Sequence, residues 1–449
     1  MSIGAATPLV PVYPFNRPGE PVILFDGLIG GVQDADIDGK VQLVCSPRPG
    51  IEWNINTSSP LRDLNESDVE LYLRKPSGDV RLAGFWLSPD RGISNGMSHG
   101  PDDALLDRMV VHWFNLPNWI GRGKLTTEVE GQEWWWLGRF EMESNGWMIV
   151  FDSRPNLSQV LKETQRSQSY LMTHVMELRR TEDRKFTAIE AQPVLEALHI
   201  GISFALGRWA APMLSVGQDA TEETVWMEWG VRHCDPVRSI SSGWWFDRDL
   251  DSLDNLLSRI IPETANPDKL AQLRLQLMLA ITSINDQSFV EQRIINGAAG
   301  LEHLEWQELA LSGRMSKTKY RQEICYLGIK MNAAGRLRLL LREANISTAV
   351  DEILSPAMFE YSEGDGDEVL DGPEVITRIR NKLVHPKGSQ EAVYRNKSLL
   401  REVWCCTRHY LALLILHSLG YSGSYRDMRK LDGWAGDVAQ VPWTKLTTV

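Results

Sequence analysis

The chain is 449 residues long, 43% hydrophobic and 24% charged, which is too long for one ordinary core and too apolar for a disordered protein. Its formal net charge of -12 argues against a protein that coats nucleic acid non-specifically, because phosphate binding needs a basic surface, but it leaves room for one basic cleft. Five cysteines without CxxC spacing (Cys45, Cys234, Cys325, Cys405, Cys406) argue against a disulfide framework or a zinc site, and favour a reducing compartment.

The first residues, MSIGAATPLVPVYPF, have no basic stretch followed by an apolar core, so no signal peptide is expected. Residues 20–150 carry short apolar or alternating runs (PVILFDGLIG, KVQLVC, DVELYLRK, WMIVF) separated by Gly, Pro, Asn and Asp. This is the pattern of strands and turns, and it predicts a sandwich-like or curled β domain over 1–155. Thirteen of the 17 tryptophans precede residue 250. From 156 to 250 the pattern is mixed. SQVLKETQRSQSYLMTHVMELRR and EAQPVLEALHIGISFALGRW have helical spacing, and TVWMEWGVRHC returns to strand character.

From 251 to 449 nearly everything reads as helix: LDSLDNLLSRII, PDKLAQLRLQLMLAITSIND, SFVEQRIINGAAGLEHLEWQELALSG, KTKYRQEICYLGIKM, GRLRLLLREAN, PEVITRIRNKLVH and QEAVYRNKSLLREVWCCTRHYLALLILHSLG. The fold class is therefore α+β, with an all-α C-terminal part. The longest apolar run, Leu411 to Leu416, is far shorter than the ~20 residues of a membrane span. It reads as a buried helix, and the protein as cytoplasmic. The acidic stretch EYSEGDGDEVLDGPE lacks the ligand register of an EF-hand and reads as a solvated loop.

The segment Thr377–Pro386 carries the chemistry. Ile376, Ile379, Leu383 and Val384 are expected to face a core, leaving Arg378, Arg380, Asn381, Lys382 and His385 as phosphate-binding and proton-transfer groups. At 100° per residue Asn381 lies about 40° from His385, Arg378 about 20° and Arg380 about 140°. Pro386 disfavours helical geometry at His385, so the helix should end there and free the imidazole to swing off the axis. A helix C-terminus favours the protonated form of such a histidine.

Arg380-Asn381-x-x-x-His385 resembles the R-x4-6-H motif of the HEPN superfamily of helical, dimeric, metal-independent endoribonucleases. AAGLEHLEWQELALSG resembles the first core helix of that family. LALLILHSLGYSGSYRD and ISFALGRWAAPMLSVGQDATEETVWMEW resemble segments of bacterial antiphage proteins of the ApeA-like kind. The resemblance covers roughly residues 180–430. It implies Arg380 and His385 as the catalytic pair, with Asn381 orienting His385 or the phosphate. It also implies Arg378, Lys382 and Lys387 along the RNA, although a solvated face serves equally for Lys382 and Lys387. Glu302 is a candidate to contact the Arg or the His across the bundle, or else an ordinary surface carboxylate. The partners implied are RNA, with tRNA as a candidate, a second copy of the chain or a higher even oligomer, and a phage-derived trigger.

Other candidates are weaker. Cys405-Cys406 with His409 suggests a thiol nucleophile or a metal pair, but lies in an apolar helix where structural cysteines are commoner. His99, His112, His174, His199 and His233 lack metal-ligand spacing. Trp134-Trp135-Trp136 could stack on bases or sugars, with at least one expected in a core. No Walker A loop or Rossmann glycine pattern occurs, and no cofactor is expected. The competing class is a binding protein whose helical part only dimerises and whose tryptophan-rich sheet holds a ligand or phage component.

Overall fold

The computed structural model describes residues 5–32, 35–56, 68–76, 78–129, 131–237, 243–364, 369–385, 392–430, 434 and 436–447. The chain divides into two compact units, one of residues 1–199 and 209–240, the other of 200–208 and 241–449. The first is β-rich and the second helical.

Alternating apolar residues build the first unit. Strands β2 (Val22–Val32), β3 (Ala35–Cys45), β4 (Pro49–Ile55), β5 (Asp68–Leu73), β6 (Val80–Ser88) and β7 (Arg91–Ser94) close into a barrel in the order β2-β3-β4-β7-β6-β5. Ile51, Trp53 and Ile55 on β4, and Val80 and Leu82 on β6, point inward. Closure leaves no unpaired edge, and its alternation in sequence is the same as that of a sandwich. Gly92 is dictated by close approach, since a Cβ there would lie 2.0 Å from the Trp53 ring.

The other strands are β1 (Ala5–Ala6), β8 (Met97–His99), β9 (Arg108–Phe114), β10 (Gly123–Val129), β11 (Gln132–Ser144), β12 (Trp147–Ser153), β13 (Met172–Arg180), β14 (Ala211–Gln218) and β15 (Thr224–Trp229). Among the described residues they form one sheet in the order β1-β10-β11-β12-β13-β9-β14-β15-β8. Helix α1 (Leu157–Ser167) ends at Gln168, whose φ of 48° breaks it. The run YLMTHVMELRR, expected to continue as helix, instead forms β13. Met172 to Leu178 are all buried in the middle of the sheet, Thr173, His174 and Glu177 included, and a strand buried on both faces lacks the alternation that would set it apart from a helix in sequence. The N-terminal segment docks through His112 on β9. Val12 and Tyr13 N–H donate to its Nε2 (3.1 and 3.3 Å), and its Nδ1 donates to Leu214 O (2.9 Å).

Helix α2 (Ala188–Leu206) leads toward the second unit, which contains α3 (Leu250–Ile260), α4 (Pro267–Ile284), α5 (Val290–Glu305), α6 (Lys317–Arg321), α7 (Ala333–Glu343), α8 (Pro356–Glu363), α9 (Gly372–Val384), α10 (Ala392–Arg395) and α11 (Lys397–Ser418). Asn266, Ser316, Asn332, Asp371 and Asn396 cap α4, α6, α7, α9 and α11 through their side chains, as short polar residues do when they accept from orphan N–H groups. α5 packs against α4, α7, α9 and α11. Val403 to Leu416 of α11 are buried throughout, which makes α11 the bundle's central helix. Among the described residues no helix is long and apolar enough to cross a membrane.

KTKYRQEICYLGIKM departs from its expected helix. Only Lys317–Arg321 is helical, and Cys325–Tyr326 (β16) pairs with Ile329–Lys330 (β17). Leu327 and Gly328 have φ of 49° and 76°, positive at both central positions as a two-residue hairpin turn requires. The acidic stretch also differs from a plain loop, because its first four residues finish α8 and Asp371 caps α9. Residues 365–368 lie outside the described set.

Candidate functional site at the end of α9

Asp371 starts α9, accepting from Glu374 N (3.1 Å) while Arg338 of α7 grips the same carboxylate from the side (Nη2 to Oδ1, 2.8 Å). Pro373 occupies the first turn, where its missing N–H costs nothing. Val375, Ile376 and Ile379 are buried. The core stripe is shorter than expected: Leu383 is half-buried and Val384 exposed. Both lie in the last turn, beyond the part of the helix that carries the buried positions. The helix stops at His385, whose φ of -125° and ψ of 66° are those of a residue forced out of the helical region.

The polar groups separate into three sets. Arg380 reaches across to α5, its Nη2 3.1 Å from Glu302 Oε1, and its Nη1 donates to Asn381 Oδ1 (3.0 Å). Glu302 therefore meets Arg380. Asn381 gives its side-chain oxygen to Arg380 and its carbonyl to His385 N (2.8 Å). Both ends of the Arg380–Glu302 pair are partly exposed, so the pair is worth under about 1 kcal/mol and can be exchanged for another anion. Arg378 pairs with Glu374 one turn back (3.0 Å). Lys382 donates to the Tyr361 hydroxyl of α8 (2.7 Å), and Tyr394 donates to the Lys382 carbonyl (3.3 Å). The His385 side chain is exposed at the helix end. Lys387 and Pro386 lie outside the described residues.

Beneath Glu302 lies a cluster the sequence did not signal. Glu305, one turn on, is buried and pairs with Arg336 of α7 (Nε to Oε2, 2.9 Å). Burial pushes the Glu305 carboxyl up to about 8, against the opposing pull of Arg336. The Tyr320 ring covers the Arg336 guanidinium at 4.3 Å and meets Trp306 edge-on at 5.1 Å. There α5 passes into a π-helical turn, Trp306–Leu311, a distortion frequent at functional sites. No spacing rule links Glu305 to Arg336, 31 residues away.

Among the remaining candidates Cys405, Cys406 and His409 are buried. Burial raises Cys405 and takes Cys406 up to about 12, and it lowers His409 to about 3. At neutral pH there is thus neither a thiolate nor an imidazolium here. Among the described residues no group of three or more His, Cys, Asp or Glu could hold a metal ion. Trp134 and Trp135 are exposed and Trp136 is half-buried, donating to Ser153 O (3.1 Å). None of the three lies in the core, contrary to expectation.

Two family models match the chain. Residues 101–240 match one described as the YopA central domain, and residues 273–440 one described as the YopA C-terminal domain. The α9 site lies inside the second match, and the barrel lies outside both. A relative from Bacillus subtilis strain 168, the SPbeta prophage-derived uncharacterized protein YopA, is 28% identical over 429 residues and covers 91% of each chain. No solved structure matches.

Proposed function

We propose that this chain is a HEPN-type, metal-independent endoribonuclease acting in the bacterial cytoplasm. Its role in this reading is antiphage defence by growth arrest, with tRNA as a candidate substrate. The observation that supports it best is that the last turns of one helix carry both an exposed histidine at the helix end and an arginine held by Glu302 and Asn381. His385 takes the 2′-hydroxyl proton or returns one to the leaving 5′-oxygen, work worth on the order of 10²–10⁴-fold. Arg380 leaves Glu302 for the scissile phosphate and stabilises the charge that builds there. The 2′-oxygen bonds to phosphorus as the 5′-oxygen departs, leaving a 2′,3′-cyclic phosphate and a 5′-hydroxyl. The β-rich unit senses a trigger of phage origin or regulates the helical unit. The prophage origin belongs to the relative, and the defence role rests on the resemblance of residues 180–430.

The test is incubation of the purified chain with total tRNA, followed by mapping of the ends. Cleavage with cyclic-phosphate ends that survives EDTA, and that is lost in His385→Ala, is the expected result. Products with 5′-phosphates, or cleavage abolished by chelation, would point to metal-activated water instead. Intact RNA, with a ligand bound by the tryptophan-rich sheet, would return the binding-protein reading.

A further inference from the structure

We infer that the exposed basic segment between α5 and α7, residues 312–332, is the surface on which single-stranded RNA docks on its way to Arg380 and His385. The choice of RNA rests on the ribonuclease reading above. The segment carries Arg314, Lys317, Lys319, Arg321 and Lys330 against Glu323, five cations to one carboxylate, or +4. The whole chain is -12, so the other residues carry -16. On an acidic body such a basic segment is a place where a polyanion is attracted rather than repelled, as it also is at the cations of α9.

The charges are also free to act. Arg314 is engaged by Glu343, but Lys317, Lys319 and Lys330 are exposed and form no ion pair among the described residues. Arg321 lies over the Trp306 ring at 5.9 Å. Helix α6 and the β16–β17 hairpin display these groups without burying them, since nearly every residue from 311 to 330 is exposed or half-buried. Tyr320 and Trp306 stand half-buried among the cations. A basic track interleaved with aromatics is the recurrent design for single strands.

The segment is continuous with the candidate site. Tyr320 rests on Arg336, Arg336 pairs with Glu305, and Glu302, one turn earlier on α5, holds Arg380. These contacts place Tyr320, at the edge of the basic segment, two side chains from the turn of α5 that holds Arg380.

The test measures binding apart from cleavage. Full-length His385→Ala protein is titrated into a short fluorescein-labelled single-stranded RNA, alone and with Lys317→Gln, Lys319→Gln and Lys330→Gln combined. The triple change should weaken binding by at least about tenfold and reduce the salt slope by about 2, since each lost phosphate contact on a single strand removes about 0.7. Arginine at the same three positions should keep both affinity and slope, which shows that charge and not folding is being read. Cys325 is exposed while the other four cysteines are buried, so RNA should also slow its reaction with a thiol reagent. Unchanged affinity and slope in the glutamine variant overturns the docking surface, as does a parent protein that binds no RNA. If the variant loses binding but protein with His385 intact cuts nothing, the docking surface stands and the ribonuclease reading falls.

Discussion

At the scale of single residues, His112 is the most constrained titratable group. Its Nε2 accepts two backbone N–H groups from the N-terminal segment, and its Nδ1–H is spent on Leu214 O. Protonating Nε2 would set a donor against two donors, and burial already holds the imidazole down at about 4. A base with a depressed folded pKa contributes stability that is fully present above its unfolded value, about 6.5. That stability is lost as pH falls through 4, and a shift of this size in a fully buried group is on the order of 3 kcal/mol. Burial lowers His174 and His409 to about 3 in the same sense. We therefore expect hydrogen-exchange protection of the Val12 and Tyr13 amides, corrected for intrinsic rate, to collapse between pH 6.5 and 4. The loss should precede that of the β9 amides. Protection that persists at pH 4 would show that His112 does not hold the segment.

At the scale of elements, α9 joins a packing role to a chemical one, and the two separate by position. Ile379 is fully buried and Leu383 only half so. Ile379→Ala should thus cost roughly 2–5 kcal/mol through transfer and cavity terms, and Leu383→Ala distinctly less. His385→Ala, at an exposed helix end, should stay within about 0.5 kcal/mol. Urea titration of the three variants checks the ranking, and a His385→Ala protein as unstable as Ile379→Ala would make the histidine structural. The end of α9 was legible in sequence because Pro386 acts through local sterics, and Glu302 was nameable as a partner of Arg380 or His385. The start was legible within one residue, since the expected segment began at Pro373 and α9 begins at Gly372, but nothing in the sequence marked Asp371 as the ion-pair partner of Arg338. The same limit hid the pairing of Lys382 with Tyr361 and of Glu305 with Arg336, which depend on how helices stack. β13 and the β16–β17 hairpin were missed for another reason. Buried strands lack alternation, and a Leu-Gly turn at left-handed φ interrupts a run whose composition still reads as helix.

At the scale of the whole molecule, one α9 motif supplies only half of the composite site that the ribonuclease reading requires, so the chain should act as a homodimer or higher even oligomer. The surface beside His385 suits such a contact. Val384 and Tyr394 are each 39% exposed, and Tyr394 is tied to the end of α9 through the Lys382 carbonyl, so two exposed hydrophobic side chains lie at the helix end that carries His385. An isologous interface repeats every contact about its two-fold axis. Packing α9 ends against each other would bring two Arg380 and two His385 side chains together and cover both apolar pairs at once. Light scattering at micromolar concentration should give at least twice the 50.8 kDa chain mass, and specific cleavage activity should fall on dilution as the oligomer dissociates. Val384→Glu with Tyr394→Glu should drive the chain to monomer and abolish cleavage while leaving each protomer folded. A monomer that cuts RNA at undiminished specific activity would show that one motif suffices, and the composite site would have to be abandoned.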